Sequence, residues 1–344
     1  MAVGLFWNDR ISFEKHDRAM QFFYVGNNTG NLVFIRALKD IFHPVIIPLW
    51  DVDSGAFHDR EDITAYVTTE LIWLTEGKTY PHVWRMIDQI GDKPLVPISV
   101  GIHSRSRTTD VALHPDTVRL LRSMSERAVL GVRGEYTASV LERLGVINLR
   151  IIGCPSMYYG MKGDFRLDRP VFHAGMRPVA NFRTFYGRLD PAECEFLTWA
   201  ANKGLPFVEQ TQQLLELSHC QNNQAQFDYL SAWLREKMQV FFHVEDWCEW
   251  IRRYDFSIGS RFHGNVIAVM NGVPALTLVC DPRMDEMTRL FRLPTLRMDE
   301  FSMDKPIEHY YELADFTEFN RVYPERIAAF RDFLRRNHLT EAIT

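Results

Sequence analysis

The segment Ser257 to Asn265, SIGSRFHGN, running into VIAVMNGVP at 266–274, constrains this chain more than any other. It reads as a short apolar strand, a turn of small residues, a helix of about two turns and a Gly-x-Pro break into the next strand. Both flanks are apolar and so buried, which puts the turn at the edge of a sheet. In open α/β sheets the carboxyl ends of strands are where ligands bind. The turn places Arg261 and His263 at the mouth of a helix, where free N–H groups and the helix dipole favour anions. A guanidinium suits planar, bidentate recognition of phosphate or carboxylate, and an imidazole moves protons near neutral pH. The set points to an enzyme that holds a small phosphorylated anion and does proton chemistry on it. The plainer alternative is an ordinary surface pair at a helix start.

At 344 residues the chain is long enough for two domains. A net charge of −5 argues against nucleic-acid binding, which calls for a basic face. Cys154, Cys194, Cys220, Cys248 and Cys280 are far apart and odd in number. They form no C-x-x-C pair, which speaks against a disulfide framework or a zinc site and fits a reducing compartment. No D-x-D or H-E-x-x-H pattern organises a metal. No signal segment opens the sequence, and no run approaches the roughly 18 apolar residues of a membrane span. A cytoplasmic location is expected, with peripheral contact to the inner membrane left open.

Strand-like and helix-like segments alternate along the chain. Strands are expected at 1–7, 21–25, 45–49, 70–74, 95–100, 128–132 and 149–152, with helices at 32–41, 114–125 and 136–144. Glycines and charges over 160–170 mark a linker, after which the pattern restarts. Strands at 178–182, 206–210, 240–243 and 275–280 alternate with helices at 191–202, 230–237, 246–253 and 284–291, Asp190 capping the first of these. This repetition predicts parallel sheets with helices on both faces. The expected architecture is α/β, with two Rossmann-like domains, 1–165 and 166–320, facing a cleft. An arginine-rich amphipathic helix within 321–344 would pack back on the first domain. A small-molecule site would lie in the cleft.

Other residues point to the same place. GVRGEYT at 131–137 puts Arg133 at a strand end, as an anion clamp from the first domain or as an exposed partner of Glu135. GNNTGN at 26–31, with Asn27, Asn28 and Asn31, is read as a strand-to-helix loop that either cradles a phosphate with its N–H groups or makes a tight turn. It lacks the G-x-G-x-x-G and P-loop spacings. His103 follows a strand end and opens a polar loop, 103–107. Glu245 and Asp246 read as helix caps. Arg283, in the loop beside Arg261, is either a third cation or a salt-bridge partner of Asp285 or Glu286.

At these residues the chain resembles the polysaccharide pyruvyl transferase family. The loop 26–31 corresponds to an N-terminal G-x-x-N-x-G-type loop. GVRGEYTASVLERLG at 131–145 resembles the middle block, and IGSRFHGNVIAVMNGVP at 258–274 resembles the arginine–leucine–histidine and G-x-P signature. The resemblance implies a GT-B-like fold, phosphoenolpyruvate as donor, no required cofactor, and a glycan acceptor, free or lipid-linked. The product would be a pyruvate ketal on a surface polysaccharide or its precursor. It implies Arg133, Arg261 and His263 as donor-site residues, with Ser260, Phe262 and Gly264 around them. Phe262 stands where leucine is usual, and Asn31 where aspartate is common. A GT-B-type glycosyltransferase using a sugar nucleotide, with Arg261 and His263 on the diphosphate, is the alternative. A non-catalytic glycan-assembly protein of the same fold is a third reading.

Overall fold

The computed structural model describes residues 2–8, 15–103, 111–160, 164–182, 191–211 and 224–339. The 104–107 part of the polar loop, the 161–163 part of the linker, Asp190 and Cys220 lie outside the described residues.

The first half supplies β1 (Ala2–Phe6), β2 (Val45–Ile47), β3 (Ile63–Thr68), β4 (Leu95–Pro97), β5 (Leu130–Val132) and β6 (Leu149–Ile151). Four of them pair in the order β2-β1-β3-β4, all parallel. A parallel bridge between Val100 and Val132 carries the hydrogen bonding on to the β5-β6 pair. The second half supplies β7 (Pro178–Asn181), β8 (Phe207–Val208), β9 (Met238–Gln239), β10 (Phe256–Gly259), β11 (Ala275–Val279) and β12 (Thr295–Arg297). Their order is β12-β11-β10-β7-β8-β9, again parallel throughout. Counted within this half, that is the Rossmann order. Its direction reverses between β7 and β10, and ligands bind outside the carboxyl ends of the strands at such a switch point. Asn181 ends β7 and Gly259 ends β10, so the SRFHG turn begins at that point. The α/β class and the two Rossmann-like halves agree with the sequence reading.

The halves meet along an apolar seam. Helix Gly30–Phe42 buries Val33, Phe34, Leu38 and Ile41, and packs against helix Phe262–Met270 and the 3-10 turn Pro155–Tyr158. The last helix, Thr317–Arg336, returns to the first half. Asn337 accepts from the Val129 N–H at 2.8 Å and donates to its carbonyl at 3.1 Å. Tyr323 donates to the Met157 carbonyl at 2.6 Å, and Phe330 stacks on Tyr158 with ring centres 4.1 Å apart. Each such aromatic side chain contributes roughly 1.5–3 kcal/mol through burial.

Several local expectations are corrected. Residues 21–25 are not a strand. They belong to helix Arg18–Tyr24 and its C-cap, and the helix starts where Asp17 accepts from the Met20 N–H at 2.9 Å. A five-residue apolar run fits either state, and the cap decides. The 26–31 loop therefore joins two helices. The strand placed at 70–74 is instead Ile63–Thr68, and the one placed at 240–243 is Met238–Gln239. Leu49 opens a short helix rather than closing β2.

Candidate active site at the switch point

The turn after β10 is built by side-chain amides. A Cβ on Gly259 would lie 1.6 Å from the Asn181 carbonyl oxygen, so only glycine lets β10 approach β7 there. The Asn181 carbonyl accepts from the Ser260 N–H at 3.1 Å, and its side-chain oxygen accepts from the Arg261 N–H at 2.9 Å. Asn181 Nδ2 donates to Asn265 Oδ1 at 2.7 Å, and Asn265 Nδ2 donates to the Gly259 carbonyl at 2.8 Å. The turn is thus locked before any ligand arrives. Phe262 is buried in the core rather than turned to a ligand, and Gly264 packs on Asn181.

Arg261 Nη2 donates to Thr211 Oγ1 at 3.0 Å and lies 3.3 Å from Glu209 Oε1, while its Nε is buried without a partner. Arg133 leaves the end of β5 and is 3% exposed. Its Nε donates to Ser99 Oγ at 3.0 Å, so it does not spend itself on Glu135. Ser99 has φ +65°, a backbone state uncommon outside glycine and enriched at functional sites. Burial, first, pulls the Arg133 pKa below its ordinary value. Arg283 lies in the first turn of helix Pro282–Phe291, capped by Asp281. Its guanidinium sits 4.1 Å over the Trp73 ring, and His103 stacks on Trp73 at 4.1 Å. Of the two acids expected to pair with Arg283, Asp285 holds Arg289 at 2.8 Å and Glu286 reaches Thr137. Burial and then Arg133 bring the Arg283 pKa down to about 10, which leaves it cationic at neutral pH.

These three guanidiniums act on one imidazole. Burial, then Arg133, Arg283 and Arg261, depress the His263 pKa to about 3. Without an anion present His263 is neutral, whereas general-acid work calls for imidazolium. An anion among the arginines reverses that field. His263 Nε2 lies 3.5 Å from Cys154 Sγ, and its ring centre is 5.9 Å from that of Phe34. On the other side a Cβ at Gly30 would fall 2.7 Å from Nδ1 and 2.6 Å from Gln210 Oε1, so a glycine is needed there.

The 26–31 loop reaches this imidazole through Gly30. The Thr29 N–H donates to the Gln210 carbonyl at 2.6 Å, Asn28 bridges to Thr211, and Asn28 Oδ1 accepts from the Gly30 N–H at 2.9 Å. Asn31 points back to the Val25 carbonyl, and Asn27 is exposed with φ +57°. The last two brace the loop and are not brought to His263. Glu245 and Asp246 lie in the first turn of helix Val244–Ile251, where Glu245 pairs with Arg36. Sequence reasoning passed over Cys154, Ser99, Asn181, Glu209, Gln210, Thr211 and Trp73. Asn181 ends an apolar strand, and Ser99, Cys154 and the Glu209–Thr211 run follow one, and that position was the available signal.

The sequence model of the polysaccharide pyruvyl transferase family matches residues 28–282. That span is well over half of the chain and holds Arg133, Cys154, Arg261 and His263. The chain belongs to the polysaccharide pyruvyl transferase family. No curated protein matches it. Among solved structures, it is similar to a putative UDP-N-acetylglucosamine 2-epimerase from Listeria monocytogenes at 12% identity, covering 99% of this chain and 97% of that one, with a TM-score of 0.47. The S. aureus MnaA–UDP co-structure is similar at 9% identity, covering 100% and 92%, with a TM-score of 0.45. UDP-GlcNAc 2-epimerase from Methanocaldococcus jannaschii is similar at 9% identity, covering 96% and 100%, with a TM-score of 0.44.

Chemically, the family member's site offers three fixed cations, one imidazole and a thiol, in a setting where burial strengthens every charge interaction. Among the described residues no group of three His, Cys, Asp or Glu could hold a metal ion, and no helix is long and apolar enough to cross a membrane.

Proposed function

We propose that the protein transfers a pyruvyl group from phosphoenolpyruvate to a sugar of a surface polysaccharide or its lipid-linked precursor, forming a pyruvate ketal. The observation that carries this reading is the convergence of Arg133, Arg261 and Arg283 on His263 at the meeting of the two units. Family membership supports it.

Phosphoenolpyruvate carries a carboxylate and a phosphate, and three guanidiniums match that charge. The enol CH2 takes a proton and becomes CH3. Two sugar hydroxyls add to the adjacent carbon, and the C–O bond to phosphate breaks. Of the two hydroxyl protons released, one balances the new methyl group and the other leaves with phosphate. The arginines stabilise charge on the departing phosphate, often the largest single contribution to such a step. His263, protonated once the anion offsets the arginine field, delivers or relays a proton, an effect worth about 10²–10⁴ in rate. No cofactor beyond the donor is needed for this chemistry.

The test is to incubate the protein with phosphoenolpyruvate and a panel of free and lipid-linked glycans. Phosphate release and an acid-labile ketal on the glycan are followed together. Both are expected. Release of a nucleoside diphosphate from a sugar nucleotide instead, with phosphoenolpyruvate untouched, would overturn the reading in favour of glycosyl transfer.

A further inference from the structure

Cys154 follows β6 at the seam between the two units and is fully buried. Its sulfur has two neighbours of different kinds. Ser156 Oγ donates to it at 3.1 Å, and His263 Nε2 lies 3.5 Å away. Ser156 is itself fully buried in the 3-10 turn Pro155–Tyr158, so the hydroxyl cannot swing to water. Arg133 and Arg283 both sense the sulfur electrostatically, which places it inside the cationic cluster.

We propose that Cys154 is a positioning residue for His263: its thiol, oriented by Ser156, holds Nε2 and fixes the ring's tautomer among the three guanidiniums. The argument is one of hydrogen-bond directions. A thiol has one proton and a weak acceptor sulfur. With Ser156 donating to that sulfur, the thiol proton is aimed at Nε2, which then accepts. A neutral imidazole has one donor nitrogen and one acceptor, so its own proton sits on Nδ1. Nδ1 faces the Gly30 side, where the acceptor oxygen Gln210 Oε1 also lies: a Cβ at Gly30 would meet both, at 2.7 and 2.6 Å. The partners that orient metal-bound histidines act in this way, and losing one there costs about 10- to 100-fold. The role in turnover rests on the pyruvyl-transfer reading, whereas the tautomer does not.

The test is nitrogen NMR of the full-length protein with labelled histidine, His263 being assigned by its absence in His263→Gln. Wild type and Cys154→Ser are expected to show His263 protonated on Nδ1. Cys154→Ala is expected to lose that single pattern, with kcat falling about 10- to 100-fold, KM nearly unchanged and the pH profile shifted. Recovery of kcat in Cys154→Ser completes the expected result. Should Cys154→Ala not fold, Ser156→Ala carries the same measurement, with a smaller shift in the same direction. A wild-type His263 protonated on Nε2, or a signature unchanged by either alanine, overturns the proposal. If wild type shows no turnover with phosphoenolpyruvate and any acceptor, the functional reading fails, and the nitrogen signature still decides the role of Cys154.

Discussion

The carboxylate of Glu286, on helix Pro282–Phe291 of the second unit, closes the N-terminus of helix Glu135–Arg143 in the first. It accepts from the Thr137 N–H at 2.7 Å and from Thr137 Oγ1 at 3.1 Å. A carboxylate is favoured at a helix N-terminus by the free N–H groups and the dipole. The tie matters because Arg133 precedes the capped helix by two residues and Arg283 lies three residues before Glu286. One buried contact thus sets the distance between two cations of the site. Gly134 leaves the room: a Cβ there would lie 2.2 Å from Glu286 Cγ.

Replacing Glu286 by Ala is therefore expected to lower stability by about 1–3 kcal/mol, the cost of leaving buried donors unsatisfied. Phosphoenolpyruvate affinity should fall too, although Glu286 is itself an anion. Urea denaturation and calorimetry check both. Tighter binding on removal of the negative charge would show that simple charge outweighs geometry.

On the proposed function, Arg133 from the first unit and Arg261 from the second clamp the donor together. Arg→Lys at either position keeps the charge but loses the planar fork, and should weaken phosphoenolpyruvate binding. Arg→Ala should cost more, about 2–5 kcal/mol each for a buried ion partner. The double Ala variant should lose less than the sum, because both changes strand the same ligand. Wild-type affinity in Arg133→Ala, with loss in Arg261→Ala, would confine the donor to the second unit.

His263 makes a pH prediction with a definite sign. Its folded pKa of about 3 lies below the ordinary histidine value of about 6.5. Between these two values the unfolded chain takes up a proton that the folded chain refuses, so this group lowers stability as pH falls through that window and adds no slope above it. Denaturation from pH 7 to pH 5 should show that loss in wild type and less of it in His263→Asn. On the proposed function, bound phosphoenolpyruvate should offset the arginine charge and raise the His263 pKa from about 3. Binding near pH 6.5 should then take up protons, read as a buffer-dependent heat in calorimetry. Proton release on binding would contradict the arrangement.

His263→Ala should lower kcat by about 10²–10⁴ with the fold intact. Near-normal turnover would leave His263 as a turn residue.

Trp73 should matter through Arg283. The guanidinium loses its stacking on the Trp73 ring in Trp73→Ala, a contact worth roughly 0.5–2 kcal/mol. Phosphoenolpyruvate binding is expected to weaken, and Trp73→Phe to recover most of it. A Trp73→Ala variant that binds the donor normally would show that Arg283 holds its place without the ring.

The alternation of apolar strands and helices was legible because each element buries one face, and burial leaves a period in the sequence. The second half restarted visibly, and its β10 turn was marked by its own residues. Arg133, Arg261, Arg283 and His263 could be singled out because charge at a strand end is locally conspicuous. Helix Arg18–Tyr24 was not, since its five apolar residues fit a strand equally well until the Asp17 cap is seen.

What the sequence by itself determined is the α/β class, the parallel sheets and the family, all written in local patterns and motif spacing. Only the tertiary structure decided which charges act together. Glu286 looks like a salt-bridge partner of Arg283 in sequence and becomes a cap on Thr137, 149 positions away. Cys154 is marked in sequence only by its place after an apolar strand, and its neighbour His263 lies 109 positions away. The state of His263 was beyond the sequence for the same physical reason. Its proton affinity is set by burial and by three arginines that sequence leaves far apart, and electrostatic energy depends on distance in space.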